Sequence, residues 1–358
     1  MPLAEGGPAA APPARALRWD GARLELLDQT RLPDREIWLT PAGAEEVAVA
    51  IERLAVRGAP NIGIAAAYGL AMEVTATPGL GTLEAAWERL RTSRPTAVNL
   101  GWAVDRVRAA ALAAGPARMA AAAREQAQAI HAWEDEASAL LCAAGAGLLR
   151  DLVPAREPVR VLTHCNTGAL ATGGTGSALG VIAELARHRA VEVLACETRP
   201  LLQGARLTAW ELGRLGIPHA LLVDGAAAGL IARGEVDAVI VGCDRVAANG
   251  DTANKVGTYA HALAAGAAGI PFLVAGPTSS IDPHIAHGDD IAIEERDARE
   301  VTHVAGSPTA PLGTQARNPA FDVTPARLIT ALVTERGVAR PVEPRTVGAL
   351  VPVAEPVA

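Results

Sequence analysis

Between residues 159 and 275 the chain alternates short β-branched runs with helical stretches, and few folds accommodate that rhythm. Residues 159–163, 191–195, 220–223, 238–241 and 272–275 read as strands, with 177–187 and 205–215 as helices among them. Strands separated by helices predict a parallel sheet covered on both faces. Only 3% of the 358 residues are aromatic while 50% are hydrophobic, so such a core must be built from Ala, Leu, Val and Ile. Upstream, residues 17–19, 23–27 and 36–39 alternate apolar and polar around Asp20-Gly21 and Leu32-Pro33-Asp34, which predicts a small antiparallel meander. Residues 44–56, 64–72, 83–91, 97–113 and 117–149 carry helical patterns, with Pro95 at a first helical turn. The expected fold class is α/β: a mainly helical N-terminal domain with a meander (17–150), then a Rossmann-like parallel-sheet domain (151–345). Residues 1–16 and 346–358 are expected to be tails, the first disordered and rich in Pro, Ala and Gly.

Charge and cysteine usage remove several classes. The formal net charge is −7, with no clustered basic run, which argues against nucleic acid as a partner. No stretch is long, apolar and uncharged enough to propose as a membrane span, and residues 1–16 lack a signal-peptide core, so a cytoplasmic location is expected. Cys142, Cys165, Cys196 and Cys243 lack CxxC spacing, so neither a zinc site nor a disulfide framework is indicated. Cys142, Cys196 and Cys243 read as small buried hydrophobes.

In sheets of this kind ligands bind beyond the carboxyl ends of the strands. The first strand runs into Thr163-His164-Cys165-Asn166-Thr167-Gly168, and Gly168, Gly173, Gly174 and Gly176 precede the next helix. Free N–H groups at a helix start suit phosphate. A dinucleotide fingerprint is the rival, weakened by the polar residues between strand and glycines. Cys165 beside that helix start is a candidate base or nucleophile. His164 points to the opposite strand face, so no Cys-His pair is implied. The strand at 238–241 leads to Asp244 and a polar segment ending at Lys255, the only lysine in the chain. A compact ammonium kept in an otherwise all-arginine sequence suggests a site that a planar guanidinium cannot serve. Arg57-Gly58-Ala59 and Arg94 precede helices and could clamp an anion.

RGAPNIGIAAAYGLA (57–71), RPTAVNLGWAVDR (94–106), THCNTGALATGGTGSALGVI (163–182), ETRPLLQGARLTAWEL (197–212), GCDRVAANGDTANKVGTYAHA (242–262) and NPAFDVTPARLITALVTERGV (318–338) together resemble the methylthioribose-1-phosphate isomerase family. The resemblance runs from about residue 17 to 340. It implies an aldose–ketose isomerase of methionine salvage, with a small phosphorylated sugar as substrate, no cofactor and no metal, and a homodimer. By motif, Asp244 and Cys165 correspond to the catalytic pair, and Arg57, Gly58, Ala59, Arg94, Gln203, Asn254 and Lys255 to substrate-holding positions. Asp244 would be the general acid for ring opening, with the role of Cys165 open between proton carrier and transition-state stabiliser. Thr175 and Gly225-Ala226 depart from the usual family residues and are expected to alter contacts at the substrate's C5 end. Isomerases of 5-deoxyribose 1-phosphate or ribose 1,5-bisphosphate, and a non-catalytic regulatory relative like subunits of the eukaryotic translation-initiation exchange factor, are the alternatives.

Overall fold

The structure, a computed structural model, describes residues 14–94 and 97–351. Pro95, read above as a first helical turn, and residues 1–13 of the expected N-terminal tail lie outside the described residues. The meander is formed by β1 (Leu17–Trp19), β2 (Leu24–Leu27) and β3 (Trp38–Leu39), paired antiparallel in that order. Its first turn is fixed by Asp20, whose Oδ1 accepts from the amides of Ala22 and Arg23 at 2.9 and 2.7 Å. Ala14 and Ala16 are buried beside Leu27, Leu32 and Leu170, so the ordered body begins inside the segment read as a tail.

Five helices follow: α1 (Ala44–Glu52), α2 (Ala59–Ala76), α3 (Leu80–Ser93), α4 (Val98–Ala114) and α5 (Met119–Leu152). Pro60 in the first turn lets α2 start five residues ahead of its periodic pattern, because a missing N–H costs nothing there. Every residue from Pro60 to Ala71 is buried, since α1, α3, α4 and α5 surround this helix. α5, 34 residues and hence about 51 Å long, serves two cores. Its first half (Met119, Ala123, Ala127, Ile130) packs with α2 and α4, and its second half (Leu141, Cys142, Ala146, Leu149) packs under the large sheet. The expected boundary at 150 therefore falls near the end of a helix that both bodies share.

The large sheet has seven strands. β4 (Val159–Thr163), β5 (Val191–Cys196), β6 (His219–Leu222), β7 (Ala238–Val241), β10 (Phe272–Ala275) and the strand Ala331–Thr334 are parallel to their neighbours, and Gly337–Ala339 adds an antiparallel edge. The spatial order is 337–339, 331–334, β10, β7, β4, β5, β6. α6 (Ala178–Ala186) packs with α5 on one face, and α8 (Ala227–Ala232) and α9 (Thr258–Ala268), to which sequence patterning assigned no helix, cover the other. α7 (Ala209–Leu215) continues a π-helical turn, Gly204–Thr208. The chain leaves β4 outward through β5 and β6, then returns to β4's other side at β7. This reversal is the topological switch point where such sheets open a crevice.

A second sheet hangs on that edge. β8 (Arg245–Ala247) and β9 (Thr252–Lys255) form a hairpin, flanked by Ile281–Asp282 and Phe321–Thr324. The expected C-terminal tail from 346 instead contributes Val347 and Leu350 to the core below Ile329 and Val342. Residues 352–358 lie outside the described residues. No helix among the described residues is long and apolar enough to cross a membrane.

Candidate active site

Cys165 follows β4 and Asp244 follows β7, so the two strands flanking the switch point deliver a thiol and a carboxyl to one crevice. A cavity of about 260 Å³ lies there, and Arg57, Gly58, Ala59, Arg94, Cys165, Gln203, Asp244, Asn254 and Lys255 all line it. Its walls come from both bodies.

The thiol is held by its backbone. Cys165 has φ 65°, the left-handed region, which costs an L-residue roughly 1–2 kcal/mol. Two threonines offset that cost: the Cys165 amide donates to Thr198 Oγ1 at 2.8 Å, and Thr208 Oγ1 donates to the Cys165 carbonyl at 2.6 Å. Thr198 and Leu202 also have positive φ, at 65° and 58°. The π-helical turn explains how Thr208 and Gln203 reach the site. Cys196 carbonyl would lie 1.7 Å from a Cβ at Gly204, so the turn approaches β5 as only glycine allows.

The carboxyl is held by the hairpin. The Asp244 amide donates to Ala253 O at 2.9 Å, and the β8–β9 register folds Asn254 and Lys255 back beside it, which reading the segment as one polar loop did not foresee. Burial pushes the Asp244 carboxyl above the usual carboxylate range, against the opposing pull of Lys255, Arg94 and Arg57. Lys255 is buried; its Nζ donates to Ala320 O at 2.6 Å and lies 4.6 Å from the Phe321 ring centre. Burial lowers its pKa, while the neighbouring Cys165 and Asp244 pull it back up. Asn254 Nδ2 donates to Thr258 Oγ1 at 2.9 Å.

The cations leave donors uncommitted. Arg57 Nη2 donates to Asn166 O at 2.6 Å, whereas its Nη1 is buried without a partner, as are Gln203 Oε1 and Thr172 Oγ1. Buried unpaired polar atoms are costly, and their convergence on one cavity points to a polar ligand. Arg94 reaches Glu294 at 3.4 Å. Gly58, at φ 90°, caps α2, and a Cβ there would sit 2.3 Å from Ala171 O. Arg206 and Arg296 also line the cavity, although sequence patterning singled out neither. Arg206 donates to Gln29 O and Leu32 O, and Arg296 is paired with Glu294 and Glu300. A chain of net charge −7 thus concentrates arginine and lysine around one carboxyl.

Three expectations change. The glycines at 168–176 do not form a phosphate cradle. Cβ atoms at Gly173 and Gly174 would meet Ile64 and Ser138 at 2.3 and 2.8 Å, so these residues let the loop lie against α2 and α5. The start of α6 is already occupied, because Ser177 N donates to Thr167 O and Leu179 N to Thr167 Oγ1. Thr175 contacts Ser138 and Cys142, and neither it nor Gly225-Ala226 lines the cavity. Cys243 is not an inert core residue but lines the cavity, where burial pushes its thiol up to about 12, so it stays protonated.

Below the thiol, Glu211 is buried and accepts from Asn166 Nδ2 at 2.6 Å, with burial raising its carboxyl to about 7. His164 turns away from Cys165: its Nε2 donates to Val256 O at 2.9 Å, and its Nδ1 lies 3.2 Å from His261 Nε2.

A thiol and a buried acid facing one cation-lined crevice at a switch point define an α/β enzyme acting on a small anion. Residues 55–341 match the Initiation factor 2 subunit family, and the chain belongs to that family. It is 54% identical over 331 residues to the methylthioribose-1-phosphate isomerase of Anaeromyxobacter sp. strain K, covering 92% of this chain and 94% of that one. Against the enzyme of the same name from Pelotomaculum thermopropionicum it is 51% identical over 336 residues, covering 91% of each. Among solved structures it is similar to 5-methylthioribose 1-phosphate isomerase from Pyrococcus horikoshii OT3, with TM-score 0.86, 38% identity and coverage of 95% and 96%. It is also similar to the translation initiation factor eIF-2B subunit delta from A. fulgidus, with TM-score 0.81, 37% identity and coverage of 93% and 99%.

Proposed function

We propose that this chain converts 5-methylthioribose 1-phosphate to 5-methylthioribulose 1-phosphate in methionine salvage. The observation that carries this is the meeting of Cys165, Asp244 and the uncommitted Arg57 guanidinium in one cavity. The names of relatives more than half identical over nine-tenths of the chain supply the substrate.

The chemistry needs what the cavity holds. A ring phosphorylated at C1 cannot open to a free aldehyde, so the ring oxygen must be protonated as the ring opens while the phosphate stays in place. Asp244, whose carboxyl is pushed towards its protonated form by withdrawal from water, is the acid for that step. Arg57, the start of α2 at Gly58 and Ala59, and Lys255 bind the phosphate dianion, with Arg94 beside them. Gln203 and Asn254 orient sugar hydroxyls. Hydrogen then passes from C2 to C1 next to Cys165. No cofactor enters this scheme, and we place the enzyme as a cytoplasmic homodimer.

Purified protein given 5-methylthioribose 1-phosphate, 5-deoxyribose 1-phosphate and ribose 1,5-bisphosphate should turn over the first with the highest kcat/KM. Higher kcat/KM on either other sugar would reassign the substrate, and no turnover of any would place the chain with the eIF-2B-like members of its fold. Substrate deuterated at C2 separates the two hydrogen routes. Loss of label to solvent identifies Cys165 as the base, and full retention identifies hydride transfer with Cys165 as a stabiliser.

A further inference from the structure

Behind the wall that carries Cys165, three segments place His164, Cys196 and His261 around one point, and a fourth sets Asp224 beside His164. The ligand atoms of His164, Cys196 and His261 all lie within 4.8 Å of one another, and all three residues are buried. His164 Nδ1 is 3.2 Å from His261 Nε2, Cys196 Sγ is 3.7 Å from His261 Nε2, and Asp224 Oδ1 is 3.9 Å from His164 Nδ1. We propose that these four residues form a tetrahedral zinc site that ties the ends of β4 and β5 to α9 and to the turn after β6.

The edge lengths support this. Zinc–nitrogen bonds of about 2.05 Å and a zinc–sulfur bond of about 2.3 Å give a tetrahedron with nitrogen–nitrogen edges of about 3.3 Å and nitrogen–sulfur edges of about 3.6 Å. The two edges that involve His261 match these values, and Asp224, which stands outside the trio that meets within 4.8 Å, has to swing in by roughly an ångström or more to complete the tetrahedron. The charges balance as well: one thiolate and one carboxylate neutralise a divalent ion, so a buried site carries no net charge. Two imidazoles, a sulfur and a single carboxylate oxygen form a borderline-soft set that suits zinc and not magnesium or calcium.

The outer contacts are those of a ligand set. His164 donates its far nitrogen, Nε2, to the Val256 carbonyl, which leaves Nδ1 as the lone pair facing the centre. A Cβ at Gly257 would lie 3.2 Å from the His164 ring, so the glycine gives the imidazole its space. Asp224 also accepts from the amides of Thr198 and Arg199 at 2.8 and 2.7 Å. Its side chain is 26% exposed, which provides the way in. On binding, the Cys196 thiol proton passes to solvent, and His261 moves its proton from Nε2 to Nδ1. Four protein ligands leave no open position, so the site is structural. Through Thr198, whose hydroxyl oxygen receives the Cys165 amide, it steadies the strained turn without touching substrate.

The test uses untagged full-length protein, stripped with chelator and titrated with cobalt(II) and then zinc. Roughly one cobalt per chain should bind, with a thiolate-to-cobalt charge-transfer band that zinc abolishes. Cys196→Ser should lose that band. His261→Gln retains a donor towards His164, so it keeps the fold while weakening zinc binding by about a hundredfold or more. Absence of the charge-transfer band in the parent protein, or metal affinity unchanged in His261→Gln with its circular dichroism intact, would overturn the proposal.

Discussion

The two walls of the cavity hold their reactive groups by different means. On the β4–β5 side, Cys165, Thr198 and Leu202 all carry positive φ, and threonine hydroxyls hold the thiol's backbone at both its amide and its carbonyl. On the β7 side, Asp244, Asn254 and Lys255 follow ordinary hairpin register, and burial with a nearby ammonium sets the state of the carboxyl. One wall fixes position by strain, and the other fixes protonation by environment. Small changes to backbone contacts should therefore disturb the thiol, whereas changes of charge should disturb the acid.

Substituting the acid gives the largest expected effect. Asp244→Asn keeps shape and burial but cannot donate the proton, so kcat should fall by about 10³ to 10⁴, with circular dichroism unchanged. In the parent, kcat/KM should decline as pH rises through the raised pKa of Asp244, because ionisation removes the donor, and this limb should vanish in the variant. A flat profile in the parent would remove Asp244 as the acid. Cys165→Ser should lower kcat by roughly 10² or more, measured by coupled assay, and near-normal turnover would mean that the strained wall holds no reactive group. Lys255→Arg tests the charged wall. The guanidinium is larger than the compact ammonium now buried between Ala320 O and the Phe321 ring and presents its donors in a different geometry, so KM should rise about tenfold to a hundredfold although the charge is kept.

Smaller changes sharpen the contrast. Thr198→Val removes two hydrogen bonds, the one from the Cys165 amide and the one its hydroxyl donates to Cys196 O, and should cost about 2 kcal/mol of stability and up to roughly tenfold in kcat. A purely structural role would change Tm alone. Glu134 is the control: a carboxyl outside the cavity, raised to about 8 by burial with Glu335 nearby. Its folded pKa exceeds its unfolded value near 4.5, so the native state holds the extra proton and stability falls as pH rises from about 4.5 to 8. Glu134→Gln should therefore raise Tm more at pH 8 than at pH 5, by calorimetry, with kcat unaltered.

Much of this arrangement was legible before any coordinates, and the parts that were not have physical causes. Strands ending at 163 and 241 show as β-branched runs, so Cys165 and Asp244 could be placed at strand ends by counting. The pairing of 331–334 with 337–339 is not legible because each strand is only three or four residues long, too short for a periodic pattern on either side of the turn at Thr334-Glu335-Arg336-Gly337. Arg296 sits on a loop without periodicity, and its place at the cavity follows from the fold of that loop alone. Arg206 and Thr208 reach the site through a π-helical turn, whose extra residue shifts side chains off the 3.6-residue pattern that sequence reading assumes. The glycines at 173 and 174 look the same in a sequence whether they receive a phosphate or a neighbouring helix. Only tertiary packing tells which.

The long helix α5, with one half in each hydrophobic core, bears on how the cavity keeps its width. Arg57, Gly58 and Arg94 stand on the helical body, and Cys165, Asp244 and Lys255 on the sheet, so the gap between them equals the offset between two cores skewered on one rod. A hinge placed between the bodies would have to bend that rod in its middle, near residues 130–141. The cavity is thus closer to a fixed gauge than to a jaw, and its tolerance is set by helix stiffness some distance from the residues that line it.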